Sequence, residues 1–256
     1  MTDIQNYQPA TDLLKDRIIL ITGAAGAIGT AVAKACATYG ATIILLDKSI
    51  PKLEKLYDEI EQAGHPQPAI IPADLAGASP ADYETIVETL DKEFGRLDGL
   101  LHTAAFLGNR TPIEQYNLEE WNKSMQINLT APFLLTRACL PLLKKSGDAS
   151  IIFTTAEVGR HGKAYWGAYG IANAALENLM QILADETENN TSIRVNSVDP
   201  GSVNSSLWVK VFPGVDPTTW AKPEDIVNGY VYLLGEDSKG HSGKQFNLQN
   251  QPPHSQ

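Results

Sequence analysis

The sequence predicts an α/β fold, one doubly wound domain over 1–249 with a seven-stranded parallel sheet flanked by helices. Three observations carry this. Strand-length apolar runs alternate with longer helical patterns along the whole chain. The runs are near-continuously apolar rather than alternating, as in strands covered on both faces. The first run leads through a glycine-rich turn straight into a helix.

Taken in order, the strands are "RIILIT" (17–22), "ATIILLD" (41–47), "PAIIPAD" (68–74), "LDGLLHTA" (97–104), "ASIIFTT" (149–155), "SIRVNSVD" (192–199) and a weaker "KQFNLQ" (244–249). Helical patterns fill 27–39, 50–63, 80–94, 114–144, 164–188 and 223–235. Each strand is followed by a helix, so right-handed crossovers and a parallel sheet are expected. No linker, repeat or low-complexity stretch divides the chain. Residues 250–256, polar and proline-containing, read as a loose tail.

Composition narrows the function. The 256 residues carry a net charge of −10 and are 43% hydrophobic, an ordinary globular balance with no attraction for a phosphate backbone. Nucleic acid is therefore not an expected partner. The longest apolar runs fall far short of the ~20 residues of a membrane span, so no membrane partner is expected either. The N-terminus has no basic segment ahead of an apolar one, and a cytoplasmic location is expected. Cys36 and Cys139 read as buried thiols rather than a disulfide. No Cys/His cluster suggests a metal.

The first strand runs into "TGAAGAIG" (22–29). Such a turn aims backbone N–H groups and a helix dipole at a pyrophosphate, as in a Rossmann dinucleotide site. Gly23, Gly26 and Gly29 supply backbone freedom, with Ala25 and Ile28 between them. Asp47 ends the second strand and can accept from an adenosine ribose, or serve as a loop or capping carboxylate. Asp74, before Leu75, can accept from an adenine amino group or hold a turn.

With these pieces the chain resembles the short-chain dehydrogenase/reductase family over nearly its whole length. The matching segments are TGAAGAIG, Asp47, "ADL" (73–75), "LHTAA" (101–105), "MQINLTAPF" (125–133), Tyr169 and "DPGSVNSS" (199–206). Within the family it is most similar to the bacterial YciK-type oxidoreductases, through "YQP…DLLKDRIILITGA", "GRHGKAYWGAYG" and "PEDIVNGYVYLLGEDS". The resemblance implies hydride transfer between a nicotinamide cofactor and a carbonyl or secondary alcohol. It implies cofactor contacts from the glycine turn, Asp47, Lys48, Asp74, Leu75, Thr103, Ala104, Ala105, Tyr169, Asn173, Pro200, Gly201 and Val203. Asp47 favours NAD(H) over NADP(H), a preference that Lys48 beside it softens.

The family's catalytic groups are a Ser, a Tyr, a Lys one helical turn after the Tyr, and an Asn on the preceding helix. Carried across, the Tyr is Tyr169 and the Asn is Asn128. The Lys position holds Asn173 and the Ser position, thirteen residues before the Tyr, holds Ala156. Ala27 stands where the family turn has glycine, so cofactor binding is expected to be weakened. The usual N-A-G reads Thr103-Ala104-Ala105. The lysine charge brings a tyrosine of pKa near ~10 into working range. Losing such a group typically costs about 10²–10⁴ in rate, and losing an oxyanion donor roughly 10²–10³.

Stand-ins are few. The Thr155 hydroxyl neighbours Ala156 but faces the other way on a continuing strand. A carboxylate at Glu157 would push the Tyr169 pKa up, the wrong direction. Arg160, His161 and Lys163 form a basic loop, either solvated or supplying a cation. His102 reads as a satisfied core histidine. Tyr165 and Trp166 either wall a substrate pocket or simply pack. Two functions follow: an oxidoreductase with a slow or altered site, or a non-catalytic nucleotide sensor or scaffold. The long helices of 114–144 and 164–188, with Ala174, Ala175, Leu176, Leu179, Met180 and Leu183, carry more apolar surface than one sheet face receives. A homodimer or homotetramer is expected.

Overall fold

A computed structural model describes residues 4–249. The suggested tail at 250–256 lies outside the described residues. Seven parallel strands form one sheet in the order β3-β2-β1-β4-β5-β6-β7. They are β1 (Ile18–Thr22), β2 (Thr42–Asp47), β3 (Ala69–Pro72), β4 (Gly99–His102), β5 (Ala149–Thr154), β6 (Ile193–Asp199) and β7 (Gln245–Asn247).

The continuous apolar runs follow from burial on both faces. Ile19 and Ile21 of β1 point into one layer, with Val32 and Cys36 of α1 (Ala27–Thr38), Leu53 of α2 (Ile50–Gln62) and Leu233 of α9 (Val227–Leu234). Leu20, between them, points into the other. That layer holds Tyr83 of α3 (Pro80–Phe94), Cys139 of α5 (Ala131–Lys144) and Met180 of α7 (Gly167–Glu188). The two cysteines are free, buried and in opposite layers.

Local signals set several boundaries. Helix α3 opens on a reciprocal Ser79–Asp82 cap with Pro80 in the first turn, and ends at Gly95 with φ +74°. Helix α4 (Leu118–Met125) starts where the Asn117 side chain accepts from the N–H groups of Glu119 and Glu120.

Of the helix expected over 114–144, residues 118–144 are continuously helical: α4 passes through a wide π turn over Gln126–Thr130 into α5, and a separate 3₁₀ turn covers Ile113–Gln115. The π turn rotates the chain so that Asn128 faces inward, and Pro132 falls in the first turn of α5, where its missing N–H costs nothing. Two short helices escaped the sequence pattern, α6 (Glu157–Arg160) and α8 (Ser206–Val211).

At the N-terminal edge of the sheet the strand starts are tied by charge. Arg17 donates to Asp148 at 3.0 Å, and Arg194 also pairs with Asp148. Asp98 accepts from the Ile18 N–H at 2.8 Å. The opposite edge is left open for a cleft.

Candidate active site

A cleft of about 560 Å³ opens at the carboxyl ends of the strands, where the order reverses between β1 and β4. This switch point is where open parallel sheets receive ligands.

One end is built by the glycine turn. Gly23 has φ +67°, and a Cβ there would stand 2.6 Å from the Ala104 nitrogen. A Cβ on Gly29 would meet the Gly23 carbonyl oxygen at 2.2 Å. Gly26 caps α1 in an extended conformation, which other residues adopt, and Ala27 is the first helical residue. The α1 N-terminus therefore presents its N–H groups to the cleft at a cradle that only small residues permit. Gly23, Gly26, Ile28 and Gly29 all line the wall, and the Ala27 methyl stands there too. Ala25 does not line it.

Asp47, Lys48, Asp74 and Leu75 continue the same end. The Asp47 carboxylate accepts from the N–H of Ala25 at 3.3 Å and of Ser49 at 3.0 Å. Lys48 is exposed and makes no ion pair among the described residues. Asp74 does what both of its readings allow: its Oδ1 accepts from Ala76 N–H at 3.1 Å in a turn, and the residue lines the cleft. Thr103, Ala104 and Ala105 form the floor, with Pro200, Gly201 and Val203 opposite. The Thr103 hydroxyl donates to the Thr22 carbonyl at 2.6 Å, fixing β4 against β1.

Tyr169 and Ala156 meet at the far end of the cleft. Tyr169 is 7% exposed, and its pKa is pushed up to about 12. Burial is the main cause and the Asp199 carboxylate adds to it, against a hydrogen bond with Asn173 that pulls the other way. Asn173 is buried behind the wall, and its amide donates to the Tyr169 main-chain carbonyl at 2.9 Å. Asn173 does not line the main cleft; it borders a small adjoining void together with Ala104, Ala105 and Tyr169. Asn128 also lies behind the wall. Its amide oxygen accepts from Phe106 N–H at 2.8 Å, and its nitrogen donates to the Phe106 carbonyl at 2.7 Å. A void of about 10 Å³, near the size of one water, touches Asn128, Tyr169 and Asn173.

Thr155, beside the alanine at the serine position, does not take the serine's place: its hydroxyl donates to Glu177 at 2.7 Å. Buried Glu177 also accepts from Ser197, from Gln245 and from Arg160, the last at 2.8 Å. Arg160 is thus tied into a polar network. Lys163 pairs with Glu157 at 3.1 Å. His102 is buried, stacked on Phe153 and within 2.9 Å of the Thr136 hydroxyl, and burial lowers its pKa to about 3. It is a core histidine. Trp166 lines the cleft, whereas Tyr165 is 53% exposed and does not.

Sequence reasoning missed the outer part of this end. Trp208 and Phe212, from α8 and the residue after it, close over Trp166, and Arg110 arrives from the β4–α4 loop. Only the spatial return of α8 brings them together, and no local signal marks them.

The model of the short chain dehydrogenase family matches residues 17–216. The chain belongs to the short-chain dehydrogenase family. It is 40% identical over 244 residues to YciK, an uncharacterized oxidoreductase of Escherichia coli K12, covering 95% of this chain and 96% of that one. Two solved short-chain dehydrogenase structures are as near. That from Shigella flexneri 2a, complexed with NADP, is 41% identical with a TM-score of 0.91, covering 94% of this chain and 100% of that one. That from Escherichia coli CFT073, complexed with NADPH, is 40% identical with a TM-score of 0.91 and the same coverage, 94% and 100%.

These complexes overturn the preference for NAD(H) that Asp47 suggested. The geometry gives the reason. Both Asp47 oxygens are turned onto backbone N–H groups, so the carboxylate closes the loop instead of guarding a ribose, and the neighbouring open charge is that of Lys48. Among the described residues no helix is long and apolar enough to cross a membrane, and no group of His, Cys, Asp and Glu is placed to hold a metal.

Proposed function

We propose that the chain is a cytoplasmic, NADP(H)-dependent oxidoreductase of a carbonyl or secondary alcohol, with slow turnover. The observation that carries this is Tyr169, buried on the cleft wall with its pKa raised to about 12 and no lysine one turn later. A tyrosine with a raised pKa is a weaker proton donor and is seldom a tyrosinate, so proton transfer to a carbonyl oxygen or from an alcohol is slow in both directions.

The cradle of Gly23, Gly26 and Gly29 with the α1 N-terminus fits a dinucleotide phosphate. Lys48 suits the additional ribose phosphate of NADP(H), Asp74 and Leu75 the adenine side, and Thr103–Ala105 with Pro200–Val203 the nicotinamide side. A bound nicotinamide supplies the hydride. The Ala27 methyl on the phosphate wall weakens binding. Ala156 offers no donor to the substrate oxygen, so the developing charge there lacks the support that the family serine gives, which slows the reaction further.

A second reading, a nucleotide-binding protein without turnover, is favoured by one observation: the residue one turn after Tyr169 is the neutral, buried Asn173, which bonds to the tyrosine but brings no charge. Calorimetry with NADP(H) and NAD(H), followed by a panel of aldehydes and ketones, separates the two. Binding with slow carbonyl-dependent oxidation of NADPH supports the oxidoreductase. Binding with no turnover supports the sensor. No binding sinks both.

We further propose a homodimer or tetramer through the outward faces of α5 and α7. Phe133, Ile171 and Ile182 are 45%, 45% and 49% exposed there, while Leu176, Met180 and Leu183 are spent on the core.

A further inference from the structure

We propose that Arg110 anchors a carboxylate at the far end of the cleft, so that the substrates are oxo or hydroxy acids with an apolar body. This rests on the oxidoreductase reading above and names its substrate class.

Arg110 is held in an unusual setting for a loop arginine. Its guanidinium carbon lies 4.9 Å from the Trp166 ring centroid and 5.6 Å from that of Phe212. One nitrogen donates to the Val211 carbonyl at 3.2 Å. The two rings and this bond hold the guanidinium at the cleft wall, and a guanidinium carries more N–H donors than the one bond to Val211 uses. Among the described residues Arg110 forms no ion pair. A fixed guanidinium edge matches two carboxylate oxygens, the geometry in which arginine binds most selectively.

The neighbouring charges leave this role to Arg110. Arg160 is paired with Glu177 and Lys163 with Glu157. Asp199 accepts from Gly201 N–H at 2.9 Å. The phosphates of a dinucleotide belong to the glycine turn at the other end of the cleft, so the anion that meets Arg110 comes from the second ligand. Around Arg110 an apolar cluster forms: Trp166 and Val211 are buried with Leu107 and Val158, and Trp208 and Phe212 pack against them. A net charge of −10 gives the protein no general attraction for acids, so selection of one depends on a local cation.

The test uses the full chain loaded with NADP⁺. Phenylpyruvate and benzoylformate are titrated against their methyl esters by calorimetry, with the parent, Arg110→Gln and Arg110→Lys. The acids should bind the parent at least about tenfold more tightly than the esters, about 1.4 kcal/mol. Arg110→Gln should abolish that difference with NADP⁺ affinity unchanged, and Arg110→Lys should restore part of it. Equal binding of acid and ester, no binding of either acid, or an acid preference that survives Arg110→Gln overturns the proposal while leaving the cofactor reading intact. An acid preference in a protein that fails to bind NADP⁺ keeps the anchor and removes the oxidoreductase.

Discussion

Rebuilding the family constellation with Asn173→Lys and Ala156→Ser should raise activity by at least about 10²-fold. The starting point is a tyrosine with a pKa near 12 whose carbonyl-facing neighbour is a methyl group. An ammonium one turn along the helix, within about 4–6 Å, lowers such a group by about 1–3 units, bringing it to roughly 9–11. Below that range the tyrosinate fraction rises about 10- to 10³-fold, and alcohol oxidation should rise with it. A serine hydroxyl donating to the substrate oxygen adds a factor of about 10²–10³ in isolation. The two act on one transition state and their effects do not multiply freely, hence the modest lower bound. Asn173 borders the small void beside Asn128 and Tyr169, and Gly159 packs closely on its Cβ, so the longer side chain must be accommodated on the void side. The assay follows NADPH absorbance over a panel of ketones, aldehydes and alcohols, after circular dichroism and NADPH titration have established folding and binding. A double variant that folds, binds NADPH and stays as inert as its parent refutes the reasoning that these two positions limit catalysis.

NADP(H) should bind more tightly than NAD(H) by calorimetry, and Lys48→Ala should narrow the gap. A gap unchanged in that variant removes Lys48 from cofactor selection. Glu177→Ala should cost about 1–3 kcal/mol in denaturant unfolding, because it removes the acceptor shared by the buried Thr155 and Ser197 hydroxyls and by the part-buried Arg160. His102 predicts a loss of stability on acidification: the unfolded imidazole takes a proton below its ordinary pKa near 6.5, whereas the buried ring resists down to about 3. Stability should therefore fall by about 1.4 kcal/mol per pH unit from that ring over this window, and His102→Gln should flatten the slope. Light scattering at micromolar concentration should show a dimer or tetramer, and Ile171→Asp with Ile182→Asp should give a monomer near the 27.8 kDa chain mass. A monomeric parent would discard the α5–α7 interface.

The fold was legible because burial on both sheet faces writes itself locally: "IILIT" can hardly be anything but an interior strand. The glycine turn was legible for a similar reason, since Gly23 and Gly29 answer to contacts a few residues away or across one strand. What was not legible depended on partners distant in sequence. Asp47 stood in the right place but gave its oxygens to Ala25 and Ser49, which no spacing rule reports. The π turn at Gln126–Thr130 has an ordinary helical sequence, and it is the packing of Asn128 on Phe106 that accompanies it. Arg110, Trp166 and Phe212 lie in three separate segments and meet only because α8 folds back over the cleft.

The reversal of strand order between β1 and β4 also has a kinetic meaning. The units β1-α1-β2-α2-β3 pair through neighbouring segments, so one half of the sheet forms from short-range encounters. Joining the halves brings Ile18 to Asp98, 80 residues along the chain, and such closures come slowly. Gly23 faces Ala104 only after that event, so the cleft is made when the seam closes and at no earlier stage. A dinucleotide that needs both walls has no half-built site to bind. If bound as proposed, it should act as a latch on the finished chain, slowing unfolding as its affinity rises without hastening assembly.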